Sequence, residues 1–135
     1  MKLTFTVDGG PVPKQSYRHS GKGGYTDPRV KAWQNKVGWT AKSAMSGQDI
    51  IDSPCGAAIE FRLNHGRRVD LDNLSKAVLD GCNKVVWTDD RWVTELHLYK
   101  VRDNDNPGVT VTVDDGHGDT ETAAFPVRIW KREKK

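Results

Sequence analysis

The segment Arg67-Arg68-Val69-Asp70-Leu71-Asp72-Asn73-Leu74-Ser75-Lys76 constrains this chain most, because the backbone must change there from extended to helical. Upstream, Gly56–Leu63 alternates as a strand, with Ile59, Phe61 and Leu63 on one face and Glu60 and Arg62 on the other. Downstream, Leu74, Val78, Cys82 and Val85 recur at helical spacing, and Asp72 is well suited to cap the helix they define. A strand end therefore meets a helix start. Asp70 and Asp72, two residues apart in extended chain, are expected on one side. Lys76 and Asp80 follow at one-turn intervals and share a helix face with Asp72.

Acids gathered at close quarters repel one another, and the usual reason to gather them is a divalent cation held by oxygen ligands. Further acids stand at Asp89-Asp90, in a turn where neighbouring side chains face opposite ways, so one of the two is expected to point at the first pair. Magnesium takes one or a few carboxylates and completes its shell with water and phosphate oxygens, a requirement that Asp70, Asp72 and Asp90 meet. Lys76 is a compact cation beside them, suited to steady a scissile phosphate. Arg67 and Arg68 would draw in a polyanion. The combination predicts metal-assisted chemistry on a phosphodiester. Each piece alone has a structural explanation: Asp72 as a cap, Lys76 and Asp80 as an (i, i+4) pair worth about 0.2–0.5 kcal/mol, Asp89-Asp90 as turn residues. Their convergence favours chemistry. No serine, histidine and acid constellation is visible by spacing, and His19, His65, His97 and His117 are scattered.

The 135 residues suffice for one domain spanning 1–135 with a single core. With 29% charged residues and a mean hydropathy of −0.70, a soluble, cytoplasmic protein is expected. No apolar run approaches the roughly 18 residues of a membrane-spanning helix, and the N-terminus lacks a signal-peptide block, so no membrane role is expected. Cys55 and Cys82 have neither zinc-ligand nor disulfide-scaffold spacing and read as small buried side chains. The net charge of +3 does not single out a nucleic-acid binder. Its distribution says more: bases concentrate in 14–36, at Arg62, Arg67 and Arg68 and in the 131–135 tail, acids in 70–90 and 103–121.

Lys2–Val7 alternates as a first strand, ended by Asp8-Gly9-Gly10-Pro11. The stretch from Val12 to Tyr25 is glycine-rich, with Lys14, Arg18 and Lys22 interleaved with Tyr17 and Tyr25, and reads as an exposed loop able to grip phosphates and stack on bases. A solvated connector is its plainer reading. Pro28, capped by Asp27, opens a helix whose stripe runs Val30, Trp33, Val37, Ala41, Ala44, Met45, while Lys31, Lys36 and Lys42 face water. Val85-Val86-Trp87 is expected to close the second helix. Arg91–Val101 is a strand, 103–108 a turn, and Val109–Val113 its partner in a hairpin; 125–130 is a short last strand. The elements predict a small mixed α/β (α+β) domain with two main helices.

Asp70-Leu71-Asp72-Asn73-Leu74-x-Lys76, then Asp80, then Trp87-Thr88-Asp89-Asp90 and Lys100, resembles the signature of the RusA family of Holliday junction resolvases, common in bacteria and their prophages. The likeness is close over residues 66–101, and Pro11-Val12-Pro13-Lys14 and the chain length are also similar. The resemblance implies a homodimer that places magnesium-dependent nicks symmetrically across four-way junction DNA, in recombination and repair. It assigns Asp70, Asp72 and Asp90 as catalytic, metal-holding acids and Lys76 as the motif lysine. Asn73, Asp80, Asp89 and Lys100 take supporting roles. Manganese is expected to replace magnesium. Lys14, Arg18, Lys22, Arg67 and Arg68 are the candidate DNA contacts. A flap-cutting nuclease and a non-catalytic nucleic-acid-binding protein are the competing readings. The 114–124 loop and the basic tail have no counterpart in the pattern.

Overall fold

The computed structural model describes residues 1–14, 27–64 and 68–116. Four strands and two helices follow in the order β1 (Lys2–Asp8), α1 (Pro28–Met45), β2 (Cys55–Leu63), α2 (Leu71–Cys82), β3 (Val93–Arg102) and β4 (Gly108–Asp114). The sheet order is β1-β4-β2-β3, with β4 antiparallel to both neighbours and β3 parallel to β2. Parallel neighbours need a crossover, and α2 supplies it. The mixed sheet and two helices are the α+β domain the sequence predicts.

One face of the sheet carries the core. Leu3, Phe5 and Val7 of β1, Ile59, Phe61 and Leu63 of β2, and Val109, Val111 and Val113 of β4 form one buried cluster with Trp33, Val37, Ala41 and Met45 of α1 and Leu74, Ala77, Val78 and Cys82 of α2. The opposite face is polar. Thr4 and Thr112 hydroxyls meet at 3.3 Å, Thr6 and Thr110 at 3.2 Å, and Arg62 donates to Thr110 Oγ1 at 2.8 Å and to Glu60 Oε1 at 3.2 Å. α1 begins as expected: Asp27 accepts from the Arg29 amide at 2.7 Å, and that bond, followed by the Arg29 side chain, lowers the Asp27 pKa. Both cysteines are free and buried, and burial pushes the Cys82 thiol up to about 12.

Three expectations are corrected. β4 is not the hairpin partner of β3. The Asp103 amide donates to Leu63 O at 2.8 Å and Arg62 Nε to Asn106 O at 3.1 Å, which draws the turn across the end of β2 and delivers β4 to that strand's other edge. There it sits between β1 and β2, with its valines fully buried. Gly108 permits the insertion, since a Cβ there would lie 2.5 Å from Val7 O. Second, α2 begins at Leu71, with Asp70 in the cap position and Asp72 inside the first turn. Leu71 is itself packed against the core, which pulls the start of the helix back. Third, α2 stops at Cys82. Lys84 is left-handed (φ 67°), and Trp87 turns back to donate from Nε1 to Asn83 Oδ1 at 2.9 Å while Ile51 and Trp87 form a β-bridge. The expected 125–130 strand and most of the 114–124 loop lie outside the described residues.

Candidate active site

Asp70 precedes α2 in extended geometry, and its side chain makes no capping bond to the helix amides. Its carboxylate is thereby left available at a helix N-terminus. Asp72 is exposed one residue into the helix, and Lys76 Nζ lies 3.7 Å from its Oδ2, one turn on. Because Asp70 caps and Asp72 is helical, the two are not held by the shared extended face expected from their spacing. The surrounding chain is fixed by main-chain acceptors: Lys100 Nζ donates to Val69 O at 2.8 Å, and the Lys14 amide to Asn73 O at 2.9 Å. Lys100 and Asn73 thus hold the backbone around the pair. Arg68 is exposed beside it. Arg18, Lys22 and Arg67 lie outside the described residues, as do His19, His65 and His117.

Asp80, Asp89 and Asp90 belong to the other end of α2. Asp80 does not meet Lys76; it accepts from Lys14 Nζ at 2.6 Å and from Gln34 Nε2 at 3.3 Å, binding the segment after β1 and α1 to the last turn of α2. Asp89 accepts from the Arg91 amide at 2.9 Å and so opens the 3-10 turn Asp90–Trp92 that precedes β3. Asp90 is half-buried, with Asn83 Nδ2 at 3.5 Å from its Oδ2. Since Asn83 caps the C-terminus of α2 and Asp70 its N-terminus, the length of the helix, roughly 18 Å for its twelve residues, separates Asp90 from Asp70. Folding of one chain therefore pairs Asp72 with Lys76 but does not carry Asp90 to them. Accordingly, among the described residues no three His, Cys, Asp or Glu side chains converge on a common metal position. His97, on β3, pairs with Glu95 at 2.8 Å.

The donor chemistry nevertheless fits a hard divalent cation. Asp70 and Asp72 are carboxylates with uncommitted oxygens, the number magnesium commonly takes from protein before water and phosphate complete its shell. No soft thiolate competes, since both cysteines are in the core.

Sequence reasoning missed what joins the two ends of the site to the rest of the fold. Gly38 and Gly81 let α1 and α2 touch: a Cβ on Gly81 would lie 2.8 Å from Gln34 O, and one on Gly38 3.0 Å from Gly81 O. A glycine inside each helix was the available signal. Asn83 and Gln34, which hold Asp90 and Asp80, carry no such mark. Along this seam runs an open cavity of about 350 Å³ lined by α1 and by the end of α2, and Asp70, Asp72 and Asp90 do not line it.

Comparison with known proteins places this arrangement. A family model described as "Endodeoxyribonuclease RusA" matches residues 8–114. The crossover junction endodeoxyribonuclease RusA of Aquifex aeolicus (strain VF5) is 30% identical over 106 residues, covering 76% of this chain and 83% of the relative. The protein of the same name from Escherichia coli (strain K12) is 31% identical over 100 residues, covering 73% and 82%, as is that from Shigella sonnei (strain Ss046). The match takes in both helices, β2, β3 and β4, and Asp70, Asp72, Asp80, Asp89 and Asp90, and the chain belongs to the RusA family of endodeoxyribonucleases.

Proposed function

We propose that this chain is a divalent-metal-dependent endonuclease that resolves four-way DNA junctions by paired, symmetric nicks. The observation that carries the reading is the pair of carboxylates at the N-terminus of α2, Asp70 with no capping bond and Asp72 paired with Lys76, in a chain of this family. A bound magnesium ion, or manganese in its place, would lower the pKa of an attacking water and neutralise charge that develops on the phosphate. Asp70 and Asp72 would hold it. Lys76 would meet a phosphate oxygen. Arg68 with Arg67, and Arg18 with Lys22, would gather the DNA backbone; Lys14, paired with Asp80, would reach a phosphate only by leaving that carboxylate, while Asn73, Asp80, Asp89 and Lys100 keep the acids in place.

Asp90 joins this set in a homodimer. The length of α2 keeps it from Asp70 and Asp72 of its own chain, so a two-fold partner that lies antiparallel would bring its own Asp90 alongside them. Such a dimer carries two identical sites, as two cuts on opposed strands require. DNA recombination and repair in a bacterial or phage-infected cytoplasm is the setting this activity fits. No described helix is long and apolar enough to cross a membrane.

The test is incubation with labelled four-way, flap and linear DNA, in magnesium and in EDTA. Paired nicks on the four-way substrate, absent in EDTA, are expected. Cutting of flaps alone would reassign the substrate, and binding without nicking in any metal would leave a non-catalytic DNA-binding protein.

A further inference from the structure

Trp39 is the most exposed large apolar side chain among the described residues, at 72%. It does not belong to the buried stripe of α1, and it stands over the cavity on the α1–α2 seam. Lys31 and Lys42 line the same cavity, with Gln34 and Asn35 between them. Lys42 Nζ lies 5.9 Å from the centre of the Trp39 ring, and neither lysine takes part in an ion pair among the described residues. The one carboxylate in the lining, Asp80, is already held by Lys14 and Gln34. The far wall is Asn83, whose amide reaches Asp90.

We infer that this seam is a track for a DNA strand, in which Lys31 and Lys42 take backbone phosphates and Trp39 stacks on an unpaired base. Eleven helical positions, about 16 Å, separate the two lysines, so they share one face of α1 and can take different phosphates of one strand. An exposed indole with a cation over its ring suits a base whatever its sequence. Lysine is depleted at protein–protein contacts, so two free lysines flanking a tryptophan favour a polyanion over a second copy of this chain. Asn83 sets the track's direction, because a strand laid along it ends at Asp90. This inference rests on the DNA-cleaving reading and adds to it a binding surface away from the Asp70–Lys76 end.

The test measures binding of the full chain to a four-way junction in EDTA across a range of salt, together with tryptophan fluorescence and sedimentation. Replacing both lysines (Lys31→Ala with Lys42→Ala) should flatten the slope of log affinity against log salt by about 1.8, the loss of two phosphate contacts. Trp39→Ala should weaken binding about 5- to 150-fold, the stacking of one base. Trp39→Phe should restore most of the affinity while abolishing the part of the fluorescence quenching that Trp39 supplies. Unchanged affinity and slope in all three variants would overturn the track. So would a shift of Trp39→Ala from dimer to monomer, which would make the face a subunit contact. If the unaltered protein binds no junction, the function itself fails along with the track; if it binds and only the variants behave as wild type, the function stands and the track falls.

Discussion

Gly81 faces the Gln34 carbonyl so closely that a Cβ in its place would lie 2.8 Å from that oxygen. The neighbour is main chain and cannot rotate away, so α1 must move if a side chain is added. Gly81→Ala is therefore expected to destabilise the fold by about 1–3 kcal/mol, the range for overpacking. It should also loosen the Gln34–Asp80 contact made across the seam. Thermal unfolding checks the first effect; a melting temperature equal to that of the unaltered protein would show that the helices have room to spare.

Asp72→Asn keeps the size of the side chain and removes its charge. Cleavage of the junction should fall more than about 100-fold, since loss of a group that only orients a metal ligand already costs about 10- to 100-fold. Binding should persist, because the basic surface is untouched. Lys76→Ala should slow single-turnover cleavage by about 100- to 1000-fold if Lys76 stabilises charge at the phosphate. A tenfold loss of affinity with normal turnover of bound junction would instead assign it to docking.

If Asp90 acts beside the partner's Asp72, variants defective in different acids should rescue one another. Asp72→Asn and Asp90→Asn homodimers are each inactive on that scheme. In the mixed dimer one site loses both groups and the other keeps both, so mixing the proteins should restore single nicks to the junction. If each site drew all its acids from one chain, the mixture would stay as inactive as its parts.

Cys82 is expected to be unreactive towards thiol reagents at pH 8 in the native protein and to react fully in denaturant, since burial holds its pKa at about 12 against an ordinary 9.0. The folded pKa is raised, so the neutral thiol's contribution to stability is complete below pH 9 and is lost as pH rises towards 12. Cys82→Ser, which removes that titration, should flatten the alkaline fall in melting temperature.

The periodicities of β1 and α1 were legible because each element buries one face against a single core, and the strict alternation of exposed and buried residues along β1 matches its polar and apolar residues one for one. The DLDN segment was legible as chemistry because Asp70 and Asp72 combine charge with exposure where a helix starts. What escaped was order in space. Nothing local in Val109–Val113 says whether β4 pairs with β3 or crosses to β2; the bonds from Asp103 and Arg62 decide it, and both reach distant main chain. The separation of Asp90 from Asp70 escaped for the same reason, since it follows from where α2 begins and ends, and those limits are set by the packing of Leu71 and the turn at Lys84.

β4 follows the other three strands along the chain yet occupies the interior of the sheet, touching both β1 and β2. Until it emerges during synthesis, β1 has no strand to pair with and β2 has one bare margin. Assembly of the apolar layer must therefore wait for residues beyond 108, and a ribosome stalled earlier would present a sticky, half-built intermediate. This ordering makes late closure, with its many contacts between distant residues, the slow step expected of the folding reaction.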